Sequence, residues 1–85
     1  MPVKLAKYVK FREEKFGGVL FETRSEKVYT LNPTATAVVR EIQAGSDAGA
    51  IPGRLKQRFN DGGGAIEREA AAFIAELREK GLVED

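Results

Sequence analysis

The chain has 85 residues, 42% hydrophobic and 32% charged, and its 14 Lys and Arg nearly balance its 13 Asp and Glu. This length predicts a single domain over residues 1–85, with one thin core and little room for a deep substrate cavity. Cys and His are both absent. Their absence excludes a disulfide framework, a thiolate metal site and every catalytic arrangement that needs a thiol or an imidazole. We expect no catalytic residue, no metal and no cofactor.

The sequence has no membrane or export signal. No apolar run approaches the roughly 20 residues that span a bilayer, and the first residues lack the apolar stretch of a signal peptide. These features predict a cytoplasmic protein without a membrane partner.

Three short segments near the start of the chain have the composition of β-strands. Residues 8–12 alternate apolar and charged side chains, which is the period-two pattern of a half-buried strand. The stretch Phe16-Gly17-Gly18 predicts a chain reversal. Residues 19–21 and 27–31 are rich in β-formers and predict the second and third strands. Together they predict an antiparallel meander with one face to cover.

Three helices are predicted to supply that cover. Asn32 and Pro33 form a helix-start signal, and the first helix is expected over residues 33–43, ended by Gly45. Pro52 predicts the first turn of a short second helix that ends near residue 60. After a loop at residues 61–64, a third helix is expected to about residue 80. Its apolar stripe is Ile66, Ala70, Phe73, Ile74 and Leu77.

The predicted element order is βββααα, and the predicted fold class is α+β with a winged-helix-like architecture. Such a fold also occurs in nucleic-acid-binding regulators, which are the main functional alternative. The predicted last helix, however, carries a net charge of −1, and the basic second helix is short. A third alternative is a plain structural subunit of an enzyme complex. The sequence favours neither over a binding module.

Positive charge is concentrated in the strands. Residues 1–30 hold seven Lys and Arg against four Glu, whereas residues 31–85 hold seven against nine Asp and Glu. A basic sheet can simply protect its edges against aggregation. It can also attract an acidic peptide, and Arg24 and Lys27 are the expected contributors.

The third predicted strand has an open edge, because a meander leaves its first and last strands with one neighbour each. An extended peptide can join such an edge as a fourth strand, with side-chain pockets supplied by a neighbouring helix. The same edge can pair with a second copy of the chain and form a homodimer. The predicted peptide-binding residues on the strand are Lys27, Val28, Tyr29, Thr30 and Leu31.

Three segments of the sequence resemble the PqqD family. The first is Val28-Tyr29-Thr30-Leu31-Asn32-Pro33-Thr34-Ala35, and the second is the spacing of Ile51, Leu55 and Phe59. The third is Phe73-Ile74-Ala75-Glu76-Leu77-Arg78-Glu79-Lys80-Gly81-Leu82-Val83. The resemblance covers residues 7 to 84, and the segment from Val9 to Gly18 is similar to the mycofactocin-type branch. Gly49, Pro52 and Gly53 depart from the family pattern, which usually has helix formers there.

The resemblance implies a peptide chaperone, or leader-recognition element, of ribosomally made and modified peptides. Its implied partners are the leader of a precursor peptide and a modifying enzyme, often a radical S-adenosylmethionine maturase. It implies a groove between the third strand and the third helix, and a protein that is not itself an enzyme. No nucleic acid is expected.

The third helix has two flanks beside its apolar stripe, and either could meet the peptide. One consists of Glu69, Ala72 and Glu76, and the other of Ala71, Ala75 and Arg78. The second flank is the predicted peptide-binding one. Its two alanines leave room for a large apolar side chain, and the planar Arg78 guanidinium can hold a carboxylate.

Overall fold

The computed structural model describes residues 3–59 and 64–84, so residues 61–63 of the predicted loop lie outside the described residues. The strands are β1 (Lys4–Leu5), β2 (Val9–Glu14), β3 (Gly17–Glu22), β4 (Lys27–Leu31) and β5 (Val83–Glu84). The helices are α1 (Pro33–Gln43), α2 (Ile51–Arg58) and α3 (Ala65–Glu79). Strands β2, β3 and β4 form the antiparallel meander, and the three helices follow it. The predicted α+β class is confirmed.

A second, two-stranded sheet joins the two ends of the described chain. Strand β1 pairs antiparallel with β5, and the Ala6 N–H donates to the Leu82 carbonyl oxygen at 2.9 Å. Val3 and Ala6 are buried beside it. This sheet is not predictable from the sequence, because strands of two residues are too short to show a hydrophobic period.

The first reversal of the meander lies at residues 15–16, earlier than the predicted glycine turn. Gly17 and Gly18 are instead the first residues of β3. A Cβ on Gly18 would lie 2.8 Å from the Phe11 ring and 3.0 Å from the Thr36 hydroxyl oxygen. The missing side chain therefore lets helix α1 lie close against the sheet, which is a reason for glycine that turn propensity does not capture.

The predicted helix boundaries agree with the structure. The Asn32 side chain caps α1 by accepting a hydrogen bond from the Ala35 N–H at 2.8 Å. Gly45, just beyond α1, adopts a positive φ of 87°. Pro52 lies in the first turn of α2, where its missing N–H breaks no helical hydrogen bond.

The core lies between the inner face of the meander and the three helices. Leu20, in the middle of the central strand β3, is fully buried there. The helical stripes predicted from the sequence supply most of the other core side chains. The buried helical apolar residues are Ala37, Val38, Val39, Ile42, Ile51, Leu55, Ala70, Ile74 and Leu77.

A buried carboxylate connects α1 to α2. Glu41 is 5% exposed, and its carboxylate accepts hydrogen bonds from the Ser46 hydroxyl and the Arg54 Nε, both at 2.7 Å. The Arg58 guanidinium lies 3.7 Å away. These contacts, first the Ser46 hydroxyl and then Arg54, hold the pKa of Glu41 below its ordinary value.

We expect Glu41→Gln to lower the free energy of unfolding by about 1–2 kcal/mol near neutral pH, because charge-assisted hydrogen bonds are lost. The loss is moderate because the Arg54 and Arg58 side chains are half exposed, so water screens their charges. The folded state has the lower pKa, so this contribution is present above the unfolded pKa of about 4.3 and disappears as the pH falls through the folded pKa. Urea unfolding from neutral to acidic pH should therefore show the two proteins converging. A difference that grew on acidification would contradict this interpretation.

Candidate functional site

The alternating direction of backbone hydrogen bonds shows which groups of β4 are available at its open edge. The Thr23 N–H donates to the Tyr8 carbonyl oxygen at 2.8 Å, which continues the ladder between β2 and β3. Hydrogen-bonding direction alternates along a strand, so the odd-numbered residues of β3 bond to β2 and the even-numbered residues bond to β4. The β3–β4 register pairs those even-numbered residues with Lys27, Tyr29 and Leu31.

The residues between them in β4 therefore direct their backbone groups away from the sheet. Val28 and Thr30 present two N–H donors and two carbonyl acceptors at the open edge. Both side chains are exposed and point to the face opposite the helices, whereas the Tyr29 side chain is half buried on the inner side. A peptide strand added here would place the side chain opposite Tyr29 on the helix side.

A groove lies on that inner side, between β4 and α3. We call it the strand–helix groove; its volume is about 340 Å³. Its strand wall is formed by residues 28–31 and its floor by Leu20 and Leu82. The α3 wall consists of Phe73, Glu76, Leu77 and Lys80. A groove of this size can accept an apolar side chain from a peptide at the open edge.

A neighbouring cavity lies beside the start of α1. This cavity of about 320 Å³, here called the α1 extension, shares Phe73 and Glu76 with the strand–helix groove. Asn32, Thr34 and Ala35 form its α1 side. Glu69 and Ala72 complete its α3 side. Because the two cavities share Phe73 and Glu76, we refer to them together as the channel.

The structure does not bring the predicted flank of α3 to this channel. Ala71, Ala75 and Arg78 lie on the other side of the helix, where they line a separate cavity with the segment between α1 and α2. The residues that face the channel come from the flank that was not chosen, Glu69, Ala72 and Glu76. The structure therefore does not place the predicted flank between α3 and β4. Which flank contacts a peptide stays a prediction.

The physical reason is that the apolar stripe predicts which residues of α3 are buried. It does not predict which of the two flanks beside the stripe faces the sheet. Phe73 carries the signal that was missed. It was assigned to the core stripe, yet it is only partly buried and lines both cavities of the channel. A large aromatic side chain at the margin of a stripe, opposite small alanines, indicates the side on which the helix has an apolar neighbour.

The charges near the open edge are mixed. Glu76 and Lys80 border the strand–helix groove on its α3 side. Arg24 lies over the Tyr8 ring, 3.7 Å from its centroid, and its Nε is 3.9 Å from the Glu22 carboxylate. Lys27 is exposed at the start of β4. Attraction of an acidic peptide by Arg24 and Lys27 stays a prediction. Arg24 would have to attract the peptide while it contacts the Tyr8 ring and Glu22.

The basic residues of α2 do not form an open cationic face. Arg54 and Arg58 are directed at Glu41, and Lys56 lies 3.8 Å from the Glu67 carboxylate. A helix that reads DNA needs cations available to phosphate and base edges. The nucleic-acid alternative therefore gains no support from α2.

The described part of the chain has neither an acidic metal-binding cluster nor a membrane-spanning helix. Within residues 3–59 and 64–84, no group of three or more acidic side chains is placed to hold a metal ion. In the same ranges, no helix has the length and apolar character needed to cross a membrane.

Two solved structures share this fold. One, described as lasso peptide synthetase B1 complexed with the leader peptide, has a TM-score of 0.81 and 24% identity, with 100% of both chains covered. The other, TbiB1 in complex with the TbiA(beta) leader peptide, has a TM-score of 0.80 and 17% identity over 95% of this chain and 94% of that one. No curated protein sequence matches the chain.

The family model described as coenzyme PQQ synthesis protein D (PqqD) matches residues 17–83. The chain belongs to the PqqD family. The resemblance predicted from the sequence is confirmed. The matched residues include both walls of the strand–helix groove, since they run from β3 to the first residue of β5.

Two of the three sequence features that carried the PqqD resemblance build the candidate site. The Leu31-Asn32-Pro33-Thr34-Ala35 segment forms the junction of β4 and α1, where the two cavities meet. The segment from Phe73 to Val83 supplies the α3 wall and the Leu82 floor. In this PqqD-family chain, the family pattern thus marks the channel rather than the core alone.

Proposed function

We propose that this PqqD-family protein binds the leader of a ribosomally made precursor peptide as an additional strand on β4. The observation that carries the proposal is the open edge at Val28 and Thr30 directly beside the strand–helix groove. Main-chain hydrogen bonds at that edge would hold the leader in register. The groove would take the side chains that point toward α3.

The energetics require both parts of the site. Val28 and Thr30 offer four backbone groups, and each net hydrogen bond is worth about 0.5–1.5 kcal/mol. Ordering a flexible peptide offsets most of that gain. An apolar side chain buried in the groove contributes a further ~1.5–3 kcal/mol, so a leader with an apolar residue opposite Tyr29 is the expected ligand.

The comparisons support a peptide ligand. Both structural neighbours are described as complexes with leader peptides, although at 24% and 17% identity their likeness is one of fold. The absence of His and Cys supports a binding protein rather than an enzyme. We propose that catalysis belongs to a separate modifying enzyme, a radical S-adenosylmethionine maturase, and that both act in the cytoplasm where the precursor is made.

Without a leader, the open edge of β4 is available to a second copy of the chain. Edge-to-edge pairing would use the same backbone groups at Val28 and Thr30. Leader binding and homodimerisation would then be mutually exclusive.

Two exposed alanines of α3 provide a matched test of the binding face. Ala72 lines the α1 extension, whereas Ala75 lines the cavity on the opposite side of the helix. We expect Ala72→Trp to fill the channel and weaken leader binding about tenfold, which is ~1.4 kcal/mol. Ala75→Trp should bind like the parent. Titration calorimetry with a candidate precursor peptide measures both.

Thermal unfolding of both variants serves as the control, because either indole could disturb the helix. If both fold and Ala75→Trp loses affinity while Ala72→Trp does not, the peptide lies on the other side of α3. Equal affinity in the parent and both variants would remove α3 from the binding site.

A further inference from the structure

Tyr8 connects the two walls of the strand–helix groove, although its own side chain does not line the groove. It lies just before β2 and is half buried against the core. Its hydroxyl donates a hydrogen bond to the Gly81 carbonyl oxygen at 2.8 Å. Its backbone carbonyl and its ring contact the turn that precedes β4. One residue therefore contacts the chain at the end of the helix wall and at the start of the strand wall.

The helix wall ends in a turn that Tyr8 holds. Gly81 follows α3 with a positive φ of 71°, and the Leu82 N–H returns to the Leu77 carbonyl oxygen at 2.9 Å. Leu77 and Leu82 both line the groove. The Ala6 N–H holds the next carbonyl of the turn, that of Leu82, at 2.9 Å. The hydrogen bonds from Tyr8 and Ala6 therefore fix where Leu82 enters the floor of the groove.

The strand wall begins after a turn that is held to the same residue. The Thr23 N–H and hydroxyl both donate to the Tyr8 carbonyl oxygen, at 2.8 and 3.0 Å. The Arg24 guanidinium lies over the Tyr8 ring, 3.7 Å from its centroid. Strand β4 begins at Lys27 and has one neighbour in the meander. Because an edge strand is held from one side, the turn before it contributes to its position.

We propose that Tyr8 is a positioning residue that sets the width of the strand–helix groove at its Leu82 end. This inference rests on the proposed leader-binding function and identifies what limits the size of the leader side chain that the groove accepts. The hydroxyl carries the effect, because it bonds to the α3 side while the carbonyl and the ring contact the strand side. Walls held at a fixed distance discriminate between side chains by size, whereas walls that can separate accept a wider range.

Packing alone does not account for a tyrosine at this position. A phenylalanine would fill the same space and offer the same ring to Arg24. The tyrosine hydroxyl adds a hydrogen bond between residues 73 positions apart in the chain. Such a bond has a preferred distance and angle, so it fixes the relative position of the two segments. An apolar contact is non-directional and does not.

Tyr8→Phe tests this role, because it removes the hydroxyl and keeps the ring. Ser46→Ala is the matched control. The Ser46 hydroxyl also makes one hydrogen bond, to the Glu41 carboxylate at 2.7 Å, and Ser46 lines neither cavity of the channel. Urea unfolding checks that both variants fold and are similarly stable.

The probe is a candidate precursor peptide, used with variants of its own sequence. An alanine scan of its apolar residues identifies the one whose loss weakens binding most, which is the residue expected in the groove. Four peptides then carry Ala, Val, Leu or Phe at that position. Titration calorimetry gives the spread of their affinities for the parent and for both protein variants.

We expect the spread of affinities to narrow roughly threefold in Tyr8→Phe and to stay as in the parent in Ser46→Ala. A fold that is merely less stable would lower all four affinities by the same factor and leave the spread unchanged. In the free protein, the Leu82 amide should exchange about fivefold faster in Tyr8→Phe than in Ser46→Ala, because its hydrogen bond lies in the turn that the hydroxyl holds.

The outcomes separate this inference from the function on which it rests. If the four peptides bind Tyr8→Phe with the same affinity ratios as the parent, Tyr8 does not set the groove width, whether or not Leu82 exchanges faster, and leader binding stands. If the parent binds none of the peptides, the proposed function fails and this inference falls with it.

Discussion

Thr30→Pro is expected to weaken leader binding at least tenfold while the protein stays folded. Thr30 directs its N–H to the open edge of β4, so proline removes a donor to the leader and no hydrogen bond of the sheet. The ring also projects toward the incoming strand. Val28→Pro should act in the same way, and the double variant should bind no measurable leader. Calorimetric titration with the precursor peptide gives the affinities.

The matched control is a proline on the other open edge of the meander. Glu13 in β2 also directs its N–H outward, because the residues on either side of it bond to β3. Its carboxylate pairs with Arg40, but both side chains are half exposed and the pair contributes little. Glu13→Pro should bind leader like the parent. If it lost affinity while Thr30→Pro kept it, the leader would be joining β2.

Gly17→Ala is expected to destabilise the fold more than any other single methyl group considered above. Gly17 has a φ of 146°, which side chains with a Cβ rarely adopt. An added Cβ would overlap the Leu31 carbonyl oxygen and lie 3.0 Å from the Asn32 carbonyl carbon. Backbone strain and overpacking each cost about 1–3 kcal/mol, a large part of the ~5–15 kcal/mol that holds a domain together.

Gly53→Ala is the matched control for the added methyl group. Gly53 lies inside α2, and a Cβ there would meet nothing within 4 Å. Alanine should stabilise the helix by up to ~1 kcal/mol. Urea unfolding followed by circular dichroism should show the midpoint falling for Gly17→Ala and rising or holding for Gly53→Ala. Similar midpoints for both variants would show that Gly17 is not held in this conformation.

The sequence predicted the elements of the fold well where the local signals were strong. Local signals act over a few residues and can be predicted without knowing the tertiary contacts. Examples are the cap at Asn32, the first-turn position of Pro52 and the stripe around Ile74. The β1–β5 sheet was missed because Leu5 and Val83 are far apart in the sequence and pair only once the core has folded.

The candidate site was predictable only in part. Lys27 to Leu31 are predicted to form an open edge, and the structure agrees that β4 has one neighbour in the meander. The flank of α3 was not predictable, because the rotation of a helix on a sheet depends on contacts made by other elements. That Val28 and Thr30 direct their backbone N–H groups outward could be found only from the register of β4 with β3.

Amide hydrogen exchange of β4, with and without the precursor peptide, tests the central claim most directly. Strand addition should protect the Val28 and Thr30 amides on binding, because they gain acceptors only from the leader. The Tyr29 and Leu31 amides already bond to β3 and should change little. A leader that binds tightly while Val28 and Thr30 exchange as fast as in the free protein would contradict strand addition at β4.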